Sequence, residues 1–186
     1  MCSVYLKLET TLSFSTTSGA TGFRQSIAYE DRLYALNDAP ESIFVIDLKT
    51  IEDNAVYELI QNPVIDILEA SRGLEVDQGA DTRSNIGPSR MALHPDGSLM
   101  AVSNFNANSI SFYDLDLGRS GTLLYELPIH SENPHALLFS PDGNALVVST
   151  YTGELDGLGS HSELVIVDTD HTSSTYLNIL TRVKNR

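Results

Sequence analysis

The chain has 186 residues, of which 41% are hydrophobic and 19% charged, and this is enough for one folded domain with a sizeable core. Asp and Glu outnumber Lys and Arg by 25 to 11, so the formal net charge is −14 and the isoelectric point is near 4.5. Such a surface repels nucleic acid, and we expect basic proteins, small ligands or cations as partners instead.

The N-terminal stretch MCSVYLKLETTLSF lacks a basic segment followed by an apolar run and a small-residue cleavage site, so it predicts no secretion signal. No apolar run approaches the roughly 20 residues of a membrane-spanning helix. The single Cys2 leaves no internal disulfide to form. We therefore expect a soluble protein, cytoplasmic as the sequence stands, and periplasmic or extracellular if it belongs to a longer exported chain.

In chain order, the regular segments have the character of β-strands. They are SIFVIDL (42–48), ISFYDLDL (110–117), ALVVST (145–150) and ELVIVDTD (163–170). Each is short, rich in β-branched and aromatic residues, and bounded by turn-forming residues. The segment PVIDILEASRGL (63–74) fits a helix and a strand equally well, so residues 64–86 stay open between a degenerate blade, a helix and a loop.

A repeat organises these strands. The segment that starts at Pro88 aligns with the segment that starts at Pro134, at an offset of about 46 residues, and both contain a Pro-Asp-Gly turn. A weaker copy starts at Arg24 and has Glu30-Asp31-Arg32 at the turn. Each copy predicts four strands, the fourth being AVYELI (55–60), TLLYELPI (122–129) or TYLNILT (175–181). Blade-like repeats are thus predicted at 24–60, 88–129 and 134–181 in a single domain spanning 1–186, with an irregular insertion at 61–87.

Four antiparallel strands recurring every 40 to 50 residues are typical of propeller blades. The sequence therefore predicts an all-β fold, a β-propeller of four-stranded antiparallel blades. Since the length corresponds to about four repeats, we expect an incomplete or open arc of three to four blades. VYLKLETTLSF would be the outer strand of a preceding blade, and blades from the same parent chain or a homo-oligomer would complete the ring.

The best-matching residues carry a family resemblance. Pro134–Gly143 with Val165–Asp168, and Pro88–Gly97 with Ser111–Asp114, resemble the YVTN-type blades of bacterial propellers and, more loosely, the seven-bladed lactonase family. The resemblance covers about three-fifths of the chain and implies the propeller fold. It implies no single activity, because such blades occur in enzymes, redox proteins and binding modules.

The turns and loops divide between two faces. The Pro-Asp-Gly turns of Asp96 and Asp142 are predicted to be structural and to lie on one face. The irregular loops 62–87 and 151–162 belong to the opposite face, where they either carry the function or are tolerated insertions. Glu154, Asp156 and His161 in the second loop suit a Ca²⁺ ion, the alternative being a solvated acidic rim; no other cofactor is expected.

Polar residues near the starts of the first strands are expected to face the central channel. Arg90 and His135 are the candidate catalytic residues, as substrate anchor and as base. The candidate ligand-binding residues are Arg24, Asn104, Asn106, Asn108 and Thr150. All of them would serve equally well as the polar lining of a wet channel.

Two functions follow from these features. The first is a non-catalytic binding module that presents an acidic loop face to a protein, a small ligand or a cation. The second is part of a lactonase-like hydrolase acting on a sugar-type lactone. The hydrolase predicts that Arg90, His135 and a carboxylate converge within about 8 Å.

Overall fold

A computed structural model describes residues 23–37, 42–47, 64–69, 87–115, 121–129, 133–151 and 162–184. Within these ranges the chain forms twelve β-strands in three four-stranded antiparallel sheets. None of the described residues lies in a helix long and apolar enough to cross a membrane. The predicted all-β architecture of four-stranded blades is therefore confirmed.

The first sheet, blade 1, contains β1 (Phe23–Tyr29), β2 (Arg32–Asn37), β3 (Ser42–Asp47) and β4 (Val64–Glu69). The prediction of its fourth strand at residues 55–60 was wrong, because Val64–Glu69 pairs with β3. A run of β-branched and aliphatic residues after Pro63 favours a strand once the edge of β3 is available to pair with it. Part of the predicted insertion thus belongs to the blade, and residues 55–60 lie outside the described ranges.

Blade 2 contains β5 (Pro88–Leu93), β6 (Leu99–Asn104), β7 (Ser109–Asp114) and β8 (Thr122–Pro128), as predicted. Blade 3 contains β9 (Asn133–Phe139), β10 (Ala145–Tyr151), β11 (Ser162–Asp168) and β12 (Ile179–Lys184). The last strand begins later than the predicted residue 175. Thr175 lies in the preceding turn, where its hydroxyl donates a 2.5 Å hydrogen bond to the Asp168 carboxylate.

The blades stack through their sheet faces. We call the face of a blade that contacts the next blade along the chain its front face, and the opposite one its back face. Leu36 and Ile43 on the front of blade 1 pack with Met100 and Val102 on the back of blade 2, and all four are fully buried. Burying such a side chain contributes about 1.5–3 kcal/mol. The first strands β1, β5 and β9 contact one another in that order, which places them at the inside of the arc.

Two rims follow from this up-and-down topology. The turn face carries the Pro-Asp-Gly turns, in which the Gly97 amide donates to the His94 carbonyl at 2.8 Å, and Gly143 to Ser140 at 2.9 Å. Asp96 accepts a 2.9 Å bond from the Ser98 amide, as expected for a residue that shapes the turn. The loop face, opposite, carries the loops between second and third strands and the links between blades.

Candidate ligand-binding rim on the loop face

Each inner strand is irregular near its start, at the loop face. The pairing register of the first and second strands shifts by one residue at Arg24 in β1, Ser89 in β5 and His135 in β9. An extra residue of this kind bends the strand and re-aims its side chain, and β-bulges are over-represented beside active sites. The predicted channel residues therefore lie within the first strands, at matching bulges.

Two serines at the ends of second strands support the bulges. The Arg90 amide donates to the Ser103 hydroxyl at 3.1 Å, and one blade later the Ala136 amide donates to the Ser149 hydroxyl at 3.1 Å. Each hydroxyl thus satisfies the amide that follows the bulge residue. In β1 the residue after the bulge, Gln25, bonds instead to both backbone groups of Met91, which ties blade 1 to blade 2.

Ser103 also brings the backbones of the two candidate catalytic residues together. Its hydroxyl oxygen lies 3.3 Å from the Arg90 carbonyl oxygen and 3.4 Å from that of His135. The guanidinium of Arg90 donates to the Ser89 carbonyl at 2.8 Å, and this side chain is half-buried. His135 is exposed, with its ring edge-on to Phe105 at 6.3 Å between centroids. We call Ser89, Arg90, Phe105 and His135 the rim cluster.

The rim cluster carries no acidic group in the described part of the chain. Neither Arg90 nor His135 forms an ion pair or hydrogen bond with a carboxylate of these residues. Among the same residues, no three His, Cys, Asp or Glu side chains group as a metal site. The carboxylate that the hydrolase hypothesis requires is thus not among these contacts. Glu154, Asp156 and His161 lie outside the described ranges.

Asn104 lies beneath the rim, fully buried, and not at its surface. Its Nδ2 donates to the hydroxyls of Ser109, at 3.1 Å, and Ser111, at 2.8 Å. Because Ser109 donates its own proton to Glu126 at 2.6 Å, it accepts from Asn104, and this fixes the amide orientation. The Asn104 Oδ1 then has no hydrogen-bond partner among the described residues, and a buried polar atom left in that state costs about 1–3 kcal/mol.

Thr150 occupies the same repeat position as Asn104 and is also buried, with 3% of its surface exposed. Its hydroxyl lies 3.4 Å from the Glu163 carbonyl oxygen. The structure therefore places both of these predicted ligand-binding residues below the surface, where they support the loop face. At the end of a buried strand, no sequence signal distinguishes a polar residue that supports the loop from one that contacts a ligand.

The loop after Asn104 is held at both ends, with Asn106 exposed at its tip. The Phe105 amide donates to the Gly87 carbonyl at 2.8 Å, and the Asn108 carbonyl accepts from the Ile129 amide at 2.7 Å. Asn108 has a positive φ of 52°, a conformation that asparagine tolerates. Anchored to the links before and after blade 2, the loop places Phe105 beside His135 and exposes Asn106.

Arg24 lies in different surroundings. It lines an open groove of about 420 Å³ together with Phe23, Ser26 and Leu33, and the lining residues that the structure describes belong to blade 1. The repeat-equivalent bulges of blades 2 and 3, by contrast, meet at Ser103. We therefore exclude Arg24 from the rim cluster.

One charged group was missed by the sequence analysis. Glu163 is 3% exposed and pairs with Lys184 at 2.7 Å and Arg182 at 3.2 Å. The bond from Lys184 lowers the pKa of Glu163, burial opposes this, and Arg182 adds to the lowering. Arg182 also reaches the Ile129 carbonyl at 3.5 Å, so this group fastens blade 3 to the preceding link. The available signal was an acidic residue at the start of the predicted strand 163–170, with the basic residues Arg182 and Lys184 just beyond the predicted strand 175–181.

Comparisons with solved structures show the fold. A candidate 6-phosphogluconolactonase from Bacteroides fragilis matches 92% of this chain and 41% of its own, with 17% identity and a TM-score of 0.60. The β-propeller domain of Cps50 (Swd1) from Myceliophthora thermophila matches 88% of this chain and 44% of its own, with 14% identity and a TM-score of 0.58. Sqt1 from Chaetomium thermophilum, bound to the N-terminus of ribosomal protein L10, matches 87% and 36%, with 21% identity and a TM-score of 0.56.

These likenesses establish a propeller-type fold and no more, since all three identities are low. The chain spans about two fifths of the length of these solved structures. No protein-family model and no curated protein matches it. The YVTN-type assignment therefore stays a prediction.

Proposed function

We propose that the chain is a non-catalytic propeller binding module, whose loop face takes a protein segment or a small ligand at the rim cluster. The observation that carries this proposal is the pair of adjacent bulges at Ser89 and His135, joined through Ser103. At these bulges, hydrogen-bonding side chains lie at the loop face, and none of them contacts an acidic side chain of the described residues. A guanidinium, an imidazole and a half-buried aromatic ring suit recognition of polar groups.

The acidic character of the chain adds to this proposal. A net charge of −14 attracts basic partners over a distance of about one Debye length, roughly 8 Å at physiological salt. Of the irregular loops that were predicted to form the acidic face, residues 70–86 and 152–161 lie outside the described ranges, and Val64–Glu69 forms β4. Among the structural neighbours, Sqt1 is seen bound to a ribosomal protein segment, which makes a protein segment a reasonable occupant.

Site-specific photo-crosslinking tests the proposal. A crosslinking residue at Asn106, exposed on the loop face, is compared with one at Asn144, exposed on the turn face. We expect a defined product from position 106 and none from 144, and we expect Arg90→Ala with His135→Ala to abolish it. Equal products from both faces, or a product that survives the double substitution, would contradict a binding site at the rim.

A second candidate, part of a lactonase-like hydrolase acting on a sugar-type lactone, rests on the proximity of Arg90 and His135 at Ser103. The candidate 6-phosphogluconolactonase among the neighbours gives it further support. In this alternative Arg90 would hold an anionic substrate and His135 would activate water. This alternative needs a carboxylate from residues outside the described ranges. It predicts a hydrolysis rate that falls when either Arg90 or His135 is substituted.

A further inference from the structure

The front face of blade 3 is the most exposed apolar surface of the described residues. In blade 2, Ile110 and Leu127 form a cross-strand pair that is 0% and 6% exposed, because blade 3 packs on it. The corresponding pair in blade 3, Leu164 with Val183, is 44% and 53% exposed. Leu138, nearby on β9, is 71% exposed. The same repeat positions are thus an interface in one blade and open in the next.

This front face carries no charge across its centre. Two cross-strand rows run over all four strands, and neither contains an ionisable side chain. The first row is Leu138, Val147, Ile166 and Thr181, and the second includes Leu164 and Val183. An uncharged, apolar centre on a chain with a net charge of −14 has the composition of an interface core.

The back face of blade 1, at the other end of the arc, is not open in the same way. Ala35, Phe44 and Ile46 are 5%, 2% and 2% exposed and form a small core of their own. Beside them, Phe23 and Arg24 line an open groove. The described residues of blade 1 therefore offer no broad apolar sheet face against which the front of blade 3 could pack head to tail.

We propose that a second copy of this chain covers the front face of blade 3, with the same face of each copy packed together about a two-fold axis. A self-complementary patch satisfies the requirement of such an interface, in which each contact occurs twice. Two antiparallel sheets pack at a distance of about 10 Å through aliphatic side chains, as the blades do within the chain. Because both copies are strongly anionic, an uncharged face is the one through which they can meet with least repulsion.

Solution mass tests this proposal on the full chain. We expect a species of twice the 20.3 kDa chain mass by sedimentation equilibrium and by light scattering. Leu164→Glu and Val183→Glu bury a charge in the interface, so each should weaken the dimer at least about tenfold. Leu124→Glu is the matched control, because Leu124 is 48% exposed on β8 of blade 2, away from this face. Circular dichroism verifies the fold of each variant, and Thr181→Arg replaces any that fails to fold.

Salt gives an independent readout. Screening reduces repulsion between the two anionic copies, so the dimer should tighten as salt rises from about 50 to 500 mM. A mass of one chain up to about 100 µM would overturn the proposal. A dimer that tolerates both glutamates would also overturn it, as would a mass that grows beyond two chains, which indicates head-to-tail assembly or recruitment of further blades.

Discussion

The ring of His94 fills the space that a side chain at Gly143 would need, and its Nε2 lies 3.0 Å from the Gly143 carbonyl oxygen. Tyr29 has the same relationship to Gly97 one blade earlier, and its hydroxyl donates to the Asp96 carbonyl at 2.9 Å. The residue that precedes the turn in one blade thus packs against the turn glycine of the next blade. The repeated Pro-Asp-Gly sequence therefore fixes blade-to-blade packing as well as strand reversal.

Gly143→Ala should lower the free energy of unfolding by about 2–4 kcal/mol. The backbone at Gly143 has φ of 76°, which costs an L-residue about 1–2 kcal/mol, and the new methyl overlaps the His94 ring. Urea unfolding measures the loss. In a double-mutant cycle, His94→Ala should relieve the overlap but leave the backbone cost. Strict additivity of the two substitutions would show that the ring and the glycine do not interact.

Acid stability should depend on Asp96. Partial burial raises the pKa of Asp96, but bonds from the Ser98 hydroxyl and amide and from His94 outweigh this and lower the pKa to about 2. A carboxyl whose folded pKa lies below its ordinary value of 3.8 stabilises the fold above that value, and the contribution is lost as the pH falls toward 2. In Ser98→Ala, the free energy of unfolding should therefore fall less steeply between about pH 5 and 2. Parallel pH profiles for the wild type and the variant would contradict this.

Ser103→Ala should cost about 1–2 kcal/mol and disturb the rim, because it removes the acceptor of the Arg90 amide. The matched control is Ser149→Ala, which removes the acceptor of the Ala136 amide one blade later. Both variants should lose similar stability in urea. Ser149→Ala should move the NMR signals of the His135 bulge, which it supports, and only Ser103→Ala should also move those of Ser89 and Arg90. Unchanged signals in that variant would show that the bulge keeps its shape without the serine.

Calcium tests the acidic-loop hypothesis. If Glu154, Asp156 and His161 bind Ca²⁺, an excess of about 100 times Kd adds about 2.7 kcal/mol of stability and raises the melting temperature by several degrees. Glu154→Gln with Asp156→Asn should remove the shift, whereas Glu30→Gln, on the turn face, should keep it. A thermal scan without any shift in millimolar Ca²⁺ would leave the loop as a solvated acidic rim.

The repeat made blades 2 and 3 predictable, because Pro95-Asp96-Gly97 and Pro141-Asp142-Gly143 mark the turns and the alternating strands follow at fixed spacing. Two apolar runs in the sequence, 55–60 and 64–69, could each form the fourth strand of blade 1. The prediction chose the first, whereas the pairing with β3 identifies the second. The start of β12 was misplaced because Thr175 and Tyr176 belong to the turn that follows Asp168, and the strand begins only at Ile179.

The rim was predictable in outline only. Arg90 and His135 were singled out from their positions before the strands, and the structure joins their backbones at Ser103. Ser103 itself carried no signal, since a β-bulge depends on pairing between strands that a linear pattern does not contain. For the same reason the burial of Asn104 and Thr150 was not visible in the sequence.

Ring opening of glucono-1,5-lactone and its 6-phosphate is the most direct test of whether this propeller binds at its rim without doing chemistry there. We expect the spontaneous rate of ring opening at neutral pH, with no difference between the wild type, Arg90→Ala and His135→Ala. Acceleration by the wild type that both substitutions lower, by about 10²–10⁴-fold for a lost general base, would contradict it and establish the hydrolase.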